Sequence, residues 1–129
     1  MTDTTPPVNG QDIGRAERAG RVLLDRVLDA HHATFDEWVA LRSLALEQDL
    51  GTNFFGDQPR ANAALAGLAV QGFATREPDV LTADGAARYD ALNADVLTIS
   101  QHLYANFTPN ELATTGHVLR EVARRAMAS

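Results

Sequence analysis

Residues 59–89 read PRANAALAGLAVQGFATREPDVLTADGAARY, and this stretch decides the fold. Its first part is rich in alanine and keeps helical spacing up to Gly72, where a helix can end because glycine readily takes the left-handed conformation. Two short extended pieces, 73–76 and 80–82, can then pair as an antiparallel ribbon. Thr82 can cap a following helix. The stretch therefore predicts a helix, a small wing and a second helix.

Two further helices are predicted on the N-terminal side of this stretch. From Ile13, apolar residues recur every three or four positions over about five turns, which is typical of a helix with one buried stripe. The next helix begins after Thr34, whose hydroxyl can accept from the Glu37 N–H. The Glu37 carboxylate is expected to reach back to the Thr34 N–H, so the two residues are predicted to form a capping box.

Helical periodicity stops at residues 51–57, which contain two glycines and an asparagine. We expect a loop here, from which Phe54 and Phe55 fill the core. Asp57 or Gln58 can then cap the alanine-rich helix that follows.

The C-terminal part of the chain predicts two more helices. Apolar residues between Tyr89 and Leu103 form a seam suited to packing against another long helix. Thr108 and Glu111 make a second capping box, with Pro109 in the first turn. The sequence thus predicts a mainly α fold with a small β-ribbon (α+β), in which the first and the last two helices pack together.

Length and composition indicate one soluble domain. The 129 residues are enough for one hydrophobic core. Residues 1–11 have almost no apolar anchor and are predicted to form a flexible tail, which leaves 12–129 as the domain. The chain has no cysteine, no apolar run that could cross a bilayer and no signal-peptide pattern at its start, so we expect a cytoplasmic protein without a membrane partner.

The net charge of −6 is unusual for a protein that binds nucleic acid. Between Thr52 and Thr82 there are two arginines and three acidic residues. Because affinity depends on the field at the contact face, this balance predicts weak and salt-sensitive DNA binding at best.

Five motifs in order resemble the MarR family of winged-helix transcription regulators: RVLLDR at 21–26, TFDEWVALRSL at 34–44, LAGLAVQGF at 65–73, LTADG at 81–85 and TPNEL at 108–112. The resemblance implies a winged helix-turn-helix lobe, about 34–91, on a helical dimerisation stalk, about 12–32 and 92–128. It also implies a homodimer through the N- and C-terminal helices, recognition helices in adjacent major grooves of double-stranded DNA, and a small-molecule effector between lobe and stalk.

Two departures from the family pattern concern the parts that touch DNA. The interval between the second helix and the alanine-rich helix is shorter by about one short helix, and the wing is cut to a stub. These departures leave an alternative open: a winged-helix dimer that has lost DNA binding and serves as a ligand-binding or protein-interaction module.

Candidate DNA contacts are Gln58, Arg60 and Asn62 near the start of the recognition helix, and Arg76 on the wing. Arginine can bind guanine and asparagine can bind adenine through base edges. The alternative for the first three is a solvated helix end. For Arg76 the alternative is a surface ion pair with a neighbouring acidic residue.

Candidate effector contacts are Trp38, His31, Phe54 and Tyr89, since an aromatic cluster between lobe and stalk suits a small-molecule cleft. The alternative for the aromatic rings is an ordinary core position.

The histidines and carboxylates between residues 31 and 37 raise a third reading, a small enzyme on a borrowed scaffold. However, His31 and His32 have no standard zinc spacing, and the chain contains no nucleophile, paired-carboxylate or phosphate-loop pattern. We therefore expect no catalytic site, no metal and no cofactor.

Overall fold

A computed structural model describes residues 5–129. Its elements are, in order, α1 Gly10–Ala30, α2 Phe35–Ala45, α3 Leu50–Asn53, α4 Gln58–Val70, β1 Ala74–Thr75, β2 Val80–Leu81, α5 Ala83–Leu103 and α6 Pro109–Ala128. The predicted mainly α fold with one small ribbon is confirmed. Part of the expected tail, residues 1–4, lies outside the described residues, and α1 already begins at Gly10, capped by the Asn9 side chain.

The hydrophobic core lies where α2, α4 and α5 meet. Leu41 of α2, Leu68 of α4 and Leu92 of α5 are fully buried, and Leu28 near the end of α1 joins them. Residues on the expected inner face of α4 are buried as well, because alanines and leucines recur there at helical spacing. This core fixes the position of α4 relative to the rest of the lobe.

The wing is a minimal antiparallel ribbon, with Ala74 opposite Leu81 and Thr75 opposite Val80. The turn into it uses Gly72, which has a φ of +81°. The Thr82 hydroxyl donates to the Gly72 carbonyl at 2.6 Å, and the Thr82 N–H donates to the Phe73 carbonyl at 3.0 Å. These bonds hold the two-residue strands against the start of α5.

Gly85 explains the glycine of the LTADG motif. A Cβ at this position would lie 1.8 Å from the carbonyl oxygen of Phe73, so α5 can approach the wing only because no side chain is present. The Gly85 N–H also donates to the Thr82 hydroxyl at 3.0 Å, which caps α5 as predicted. The motif thus joins wing and helix in one compact corner.

One of the two predicted capping boxes is complete. Thr108 and Glu111 make both reciprocal bonds, at 2.9 and 3.1 Å. The Thr34 hydroxyl accepts from the Glu37 N–H at 3.1 Å as predicted. The predicted second bond, from the Thr34 N–H to the Glu37 carboxylate, is not formed. The Glu37 carboxylate is buried and faces the Arg88 guanidinium of α5 at 3.4 Å instead, because a buried charge needs a charged partner.

The loop expected at 51–57 is partly wrong. Leu50–Asn53 forms the one-turn helix α3, whose N-cap Asp49 accepts from the Thr52 N–H at 2.9 Å. Hydrogen bonds from the Thr52 hydroxyl and N–H hold the pKa of Asp49 below its ordinary value. The short helix that we expected to be missing is present, although reduced to a single turn.

The two phenylalanines of this segment have opposite surroundings. Phe54 is buried in the core as predicted. Phe55 is 76% exposed, so its predicted core position is wrong. It follows the end of α3 with a φ of +54°, and this turn points the chain away from the core before Asp57 starts α4.

The terminal helices pack only in part. α1 contacts α5, but α6 has no buried residue in the single chain. The predicted inner stripe of α6 is therefore exposed: Leu112, Leu119, Val122, Ala123 and Ala126. Val118 and Met127 of the same helix are exposed as well. No helix within residues 5–129 has the length and apolar character needed to span a membrane.

Candidate nucleic-acid interface

The first turn of α4 presents the polar side chains predicted to contact DNA. Asp57 caps this helix by accepting from the Arg60 N–H at 3.1 Å. Gln58, Arg60 and Asn62 are all exposed, because the neighbouring Ala61 takes the inward position. The structure therefore brings three of the four predicted contacts together at one helix end.

Arg60 is bound within the chain. Its Nε and Nη2 donate to the two carboxylate oxygens of Asp36, in the first turn of α2, at 2.8 and 2.6 Å. The hydrogen bonds to Arg60 hold the pKa of Asp36 below its ordinary value of 3.8, and the same bonds raise the pKa of Arg60. A two-point pairing of this kind is the strongest geometry available to arginine and carboxylate.

The other predicted contacts are also engaged. Gln58 Nε2 donates to Asn62 Oδ1 at 3.1 Å, which leaves the Asn62 amide N–H groups and the Gln58 carbonyl oxygen without a partner among residues 5–129. Arg76 lies on the wing, where its Nε donates to Asp79 at 2.8 Å. Both predicted arginines thus have a carboxylate partner.

Beyond its first turn, the exposed face of α4 is apolar. Ala63, Ala66 and Val70 are exposed, and Val70 is 89% accessible. Such a face can contact thymine methyl groups, but it offers no hydrogen bond to a base edge or a phosphate. Polar recognition by α4 is therefore confined to its N-terminal turn.

The charge of this region is negative. Residues 34–91 contain nine acidic and four basic residues, which accounts for five of the six units of net charge. Residues 12–32 and 92–128 together contain seven arginines and seven acidic residues. This excess of negative charge around α4 and the wing opposes phosphate binding.

Two of the residues predicted to contact an effector lie together. Trp38 and Tyr89 stack with ring centroids 5.8 Å apart and planes inclined by 8°. Trp38 is buried, whereas Tyr89 borders a cavity of about 340 Å³ whose other lining residues are Leu44, Ala45, Leu81, Ala86 and Asp90. Only the Tyr89 edge of this pair is available to a ligand.

His31 and Phe54, the other two predicted effector contacts, lie apart from the Trp38–Tyr89 pair. His31 ends α1, and its Nε2 is 2.7 Å from Asp95 of α5. Phe54 is buried beneath the Arg60 guanidinium, which lies 6.0 Å from the ring centroid. Among residues 5–129, no group of three histidines or carboxylates is arranged to hold a metal ion.

Neither a family model nor a curated protein matches this sequence. The Mycobacterium tuberculosis MarR family protein Rv2887 in complex with salicylic acid is similar in structure, with a TM-score of 0.70 at 21% identity over 91% of this chain and 99% of that chain. The same protein in complex with DNA gives 0.69 at 20% identity over 91% and 98%. A Listeria innocua protein of unknown function gives 0.66 at 17% identity over 88% and 89%.

The chain has the MarR winged-helix fold. In this fold, α3 and α4 are the two helices between α2 and the wing, and β1 and β2 form the wing. The wing is as short as the sequence predicted.

Two important residues of this region were missed by the sequence reasoning. Asp36 had been considered only beside the histidines, and no local pattern connects it with Arg60, 24 residues away. The sequence does contain a pattern that could have identified Arg88, since it shares a helical stripe with the apolar residues Leu92 and Val96 and should therefore face the core. In the structure Arg88 Nη1 donates to the His31 carbonyl at 2.8 Å and thereby ties α5 to the end of α1.

Proposed function

We propose that this protein is a cytoplasmic, dimeric transcriptional regulator that binds double-stranded DNA through α4 and the wing and responds to a small-molecule effector. The observation that carries the proposal is the arrangement of α3, α4 and the ribbon, with Gln58, Arg60 and Asn62 exposed at the start of α4. A helix presented in this way can place its N-terminal side chains against base edges in the major groove. The similarity to a MarR family structure in complex with DNA supports the same reading.

The proposed homodimer uses the N- and C-terminal helices. Its support is the unburied apolar stripe of α6, together with exposed Val22 on α1 and Leu97 on α5. A monomer rarely leaves so many large apolar side chains exposed on neighbouring helices unless they form an interface. Two-fold symmetry would also present two copies of α4 to one duplex.

The proposed effector site lies near Tyr89 and Trp38, with His31 and Phe54 as the other candidate contacts, and the cavity there is lined by residues of the lobe alone. The cavity beside Tyr89 supports an aromatic or apolar ligand, since its lining is largely aliphatic. Salicylate is a suitable first probe because a protein of this fold binds it. Trp38 is the only tryptophan and stacks on Tyr89, so saturable quenching of its fluorescence reports occupancy.

DNA binding is tested by fluorescence anisotropy with duplexes from the region upstream of the protein's own coding sequence. We expect binding at about 50 mM salt that falls steeply towards about 200 mM, because each phosphate contact releases counterions. Arg60→Ala and Arg76→Ala should weaken it, whereas Arg18→Ala on exposed α1 is the matched control for loss of one positive charge. No binding at about 50 mM salt, or equal weakening by all three changes, would reject the proposed interface.

A second candidate function is a winged-helix dimer without DNA binding that serves as a ligand-binding or protein-interaction module. It is favoured by the carboxylate partners of Arg60 and Arg76 and by the negative charge of the lobe. Saturable binding of salicylate by a dimer that ignores every duplex at low salt would favour this candidate. A salt-sensitive, sequence-specific footprint would exclude it.

A further inference from the structure

The contact between Asp36 and Arg60 joins the beginnings of two helices. Asp36 lies in the first turn of α2, where the partial positive charge of the helix end stabilises a carboxylate. Arg60 reaches it from the first turn of α4. Both side chains remain partly accessible, at 34% and 47%, so the pair is formed at the surface and can be opened by a competing anion.

Asp36 keeps its position independently of Arg60. It belongs to a helix anchored by the buried residues Trp38 and Leu41, and Arg21 of α1 adds a second favourable charge interaction. If Arg60 turns towards DNA, the carboxylate therefore stays beside the start of α4 as a negative charge that has lost its hydrogen-bonded partner.

A carboxylate and a phosphate compete for the same guanidinium geometry. Each offers two oxygens to the planar fork of arginine, and arginine prefers such two-point partners. Gln58 and Asn62, by contrast, keep free amide groups while bonded to each other. Among the polar groups of the first turn of α4, Arg60 is thus the one with an ionic partner, and it must give up Asp36 before its Nε–Nη2 edge can bind a phosphate at two points.

We propose that Asp36 is an autoinhibitory residue that competes with DNA for Arg60 and thereby lowers affinity for the duplex. This inference rests on the proposed function and assigns to α2 a regulatory part in the DNA contact. When Arg60 exchanges Asp36 for a phosphate, the counterion released from DNA is offset by the cation that the freed carboxylate attracts. The exchange therefore adds little to the salt dependence of binding.

The test compares Asp36→Asn with the wild-type protein by anisotropy, using a duplex from upstream of the coding sequence at several salt concentrations. We expect tighter binding at low salt and a steeper salt dependence, with the slope of log K against log salt growing by about 0.9 for each Arg60 that reaches a phosphate. Far-UV circular dichroism and thermal unfolding verify that the variant is folded.

Asp57→Asn is the matched control. It removes one negative charge even closer to the start of α4, and asparagine preserves the cap. Asp57 hydrogen-bonds the Arg60 backbone and acts on the guanidinium only through its charge, so this variant reports the effect of a nearby negative charge without the direct ion pair. Asp36→Asn should exceed it by at least about threefold in affinity, within the range of an exposed ion pair.

The dependence on Arg60 is decided in an Arg60→Ala background. There, Asp36→Asn should improve affinity no more than Asp57→Asn does, because no arginine is left to release. Equal gains from both substitutions in the wild-type background, or a gain from Asp36→Asn that survives Arg60→Ala, would overturn the inference while leaving the proposed function intact. Absence of DNA binding by wild type and every variant at about 50 mM salt would overturn both.

Discussion

The lobe and the stalk differ in how far their apolar residues are buried within a single chain. The lobe, residues 34–91, has a closed core around Leu41 and Leu68, and its wing is bonded to the start of α5. The stalk has α1 packed on α5, whereas α6 buries no residue. The core of residues 34–91 is therefore completed within the single chain by Leu28 of α1 and Leu92 of α5, whereas α6 has an apolar face that no residue among 5–129 buries.

The charges of the two regions differ in the same way. The lobe has an excess of five negative charges, and its four arginines include two that carboxylates hold at the proposed DNA face. In the stalk, arginines and acidic residues are equal in number. The negative charge of the lobe therefore opposes the proposed DNA contact, and the arginines at that face are paired with carboxylates.

The largest expected effect compares two leucines. Leu68→Ala should lower the free energy of unfolding by about 2–5 kcal/mol at any protein concentration, because it leaves a cavity in a fully buried part of the lobe. Leu119→Ala, at a position 41% exposed in the single chain, should cost less than about 1 kcal/mol in dilute protein. Urea unfolding followed by circular dichroism measures both.

The same pair tests the stalk when protein concentration is raised. If α6 forms the dimer interface, Leu119→Ala should increase the dimer dissociation constant in sedimentation analysis, whereas Leu68→Ala should do so only as far as it unfolds the lobe. If Leu119→Ala lowered the free energy of unfolding strongly in dilute protein, α6 would already be packed within the single chain. That result would contradict the contrast between the lobe and the stalk.

The second prediction concerns the corner between wing and α5. Gly85→Ala should destabilise the protein by about 3 kcal/mol, because its Cβ meets the Phe73 carbonyl oxygen and backbone must shift. Gly67→Ala in α4 is the control, since its Cβ meets nothing within 4 Å and alanine should stabilise the helix by about 0.5–1 kcal/mol. Thermal unfolding compares the variants. Similar effects of both substitutions would show that the close contact between Gly85 and the Phe73 carbonyl does not contribute to stability.

The sequence could predict those parts of the fold that are determined locally. Thr34, Thr82 and Thr108 were identified as caps because the bond from a cap hydroxyl spans only three residues. Gly72 was identified because a helix end needs a residue that accepts a positive φ. The MarR resemblance then supplied the order of these local signals, and the structure confirmed the fold.

Other parts depend on contacts that no local pattern contains. The one-turn helix α3 is too short for a helical period, so its sequence was interpreted as loop. Phe55 was expected in the core on account of its apolar ring, but the turn after α3 directs it outward. Asp36, the partner of Arg60, belongs to another helix. For this reason the sequence could identify Arg60 as a candidate DNA contact but could not show that a carboxylate within the chain binds it.

The third prediction tests the link between lobe and stalk. Glu37→Gln should lower the free energy of unfolding by about 1–3 kcal/mol, because it leaves the Arg88 guanidinium with a neutral neighbour in a mostly buried position. Asp90→Asn, at an exposed position two residues after Arg88 on the same helix, should have almost no effect. Hydrogen exchange should additionally show faster opening where α1 meets α5, since Arg88 also binds the His31 carbonyl. Unchanged exchange there would indicate that the pair stabilises the lobe alone.

The smallest expected effect is the pH dependence of the Asp36–Arg60 contact. Hydrogen bonding to Arg60 lowers the pKa of Asp36 in the folded protein, so the contact contributes stability above the ordinary value of 3.8 and loses it as the pH falls through the folded-state pKa. Asp36→Asn should therefore lower the melting temperature slightly at pH 7, and the difference from wild type should shrink below about pH 4. Differential scanning calorimetry over this range measures it. A difference that persists at pH 2–3 would mean that the asparagine disturbs the first turn of α2 rather than the ion pair, and the autoinhibitory assignment of Asp36 would then depend on the Arg60→Ala background alone.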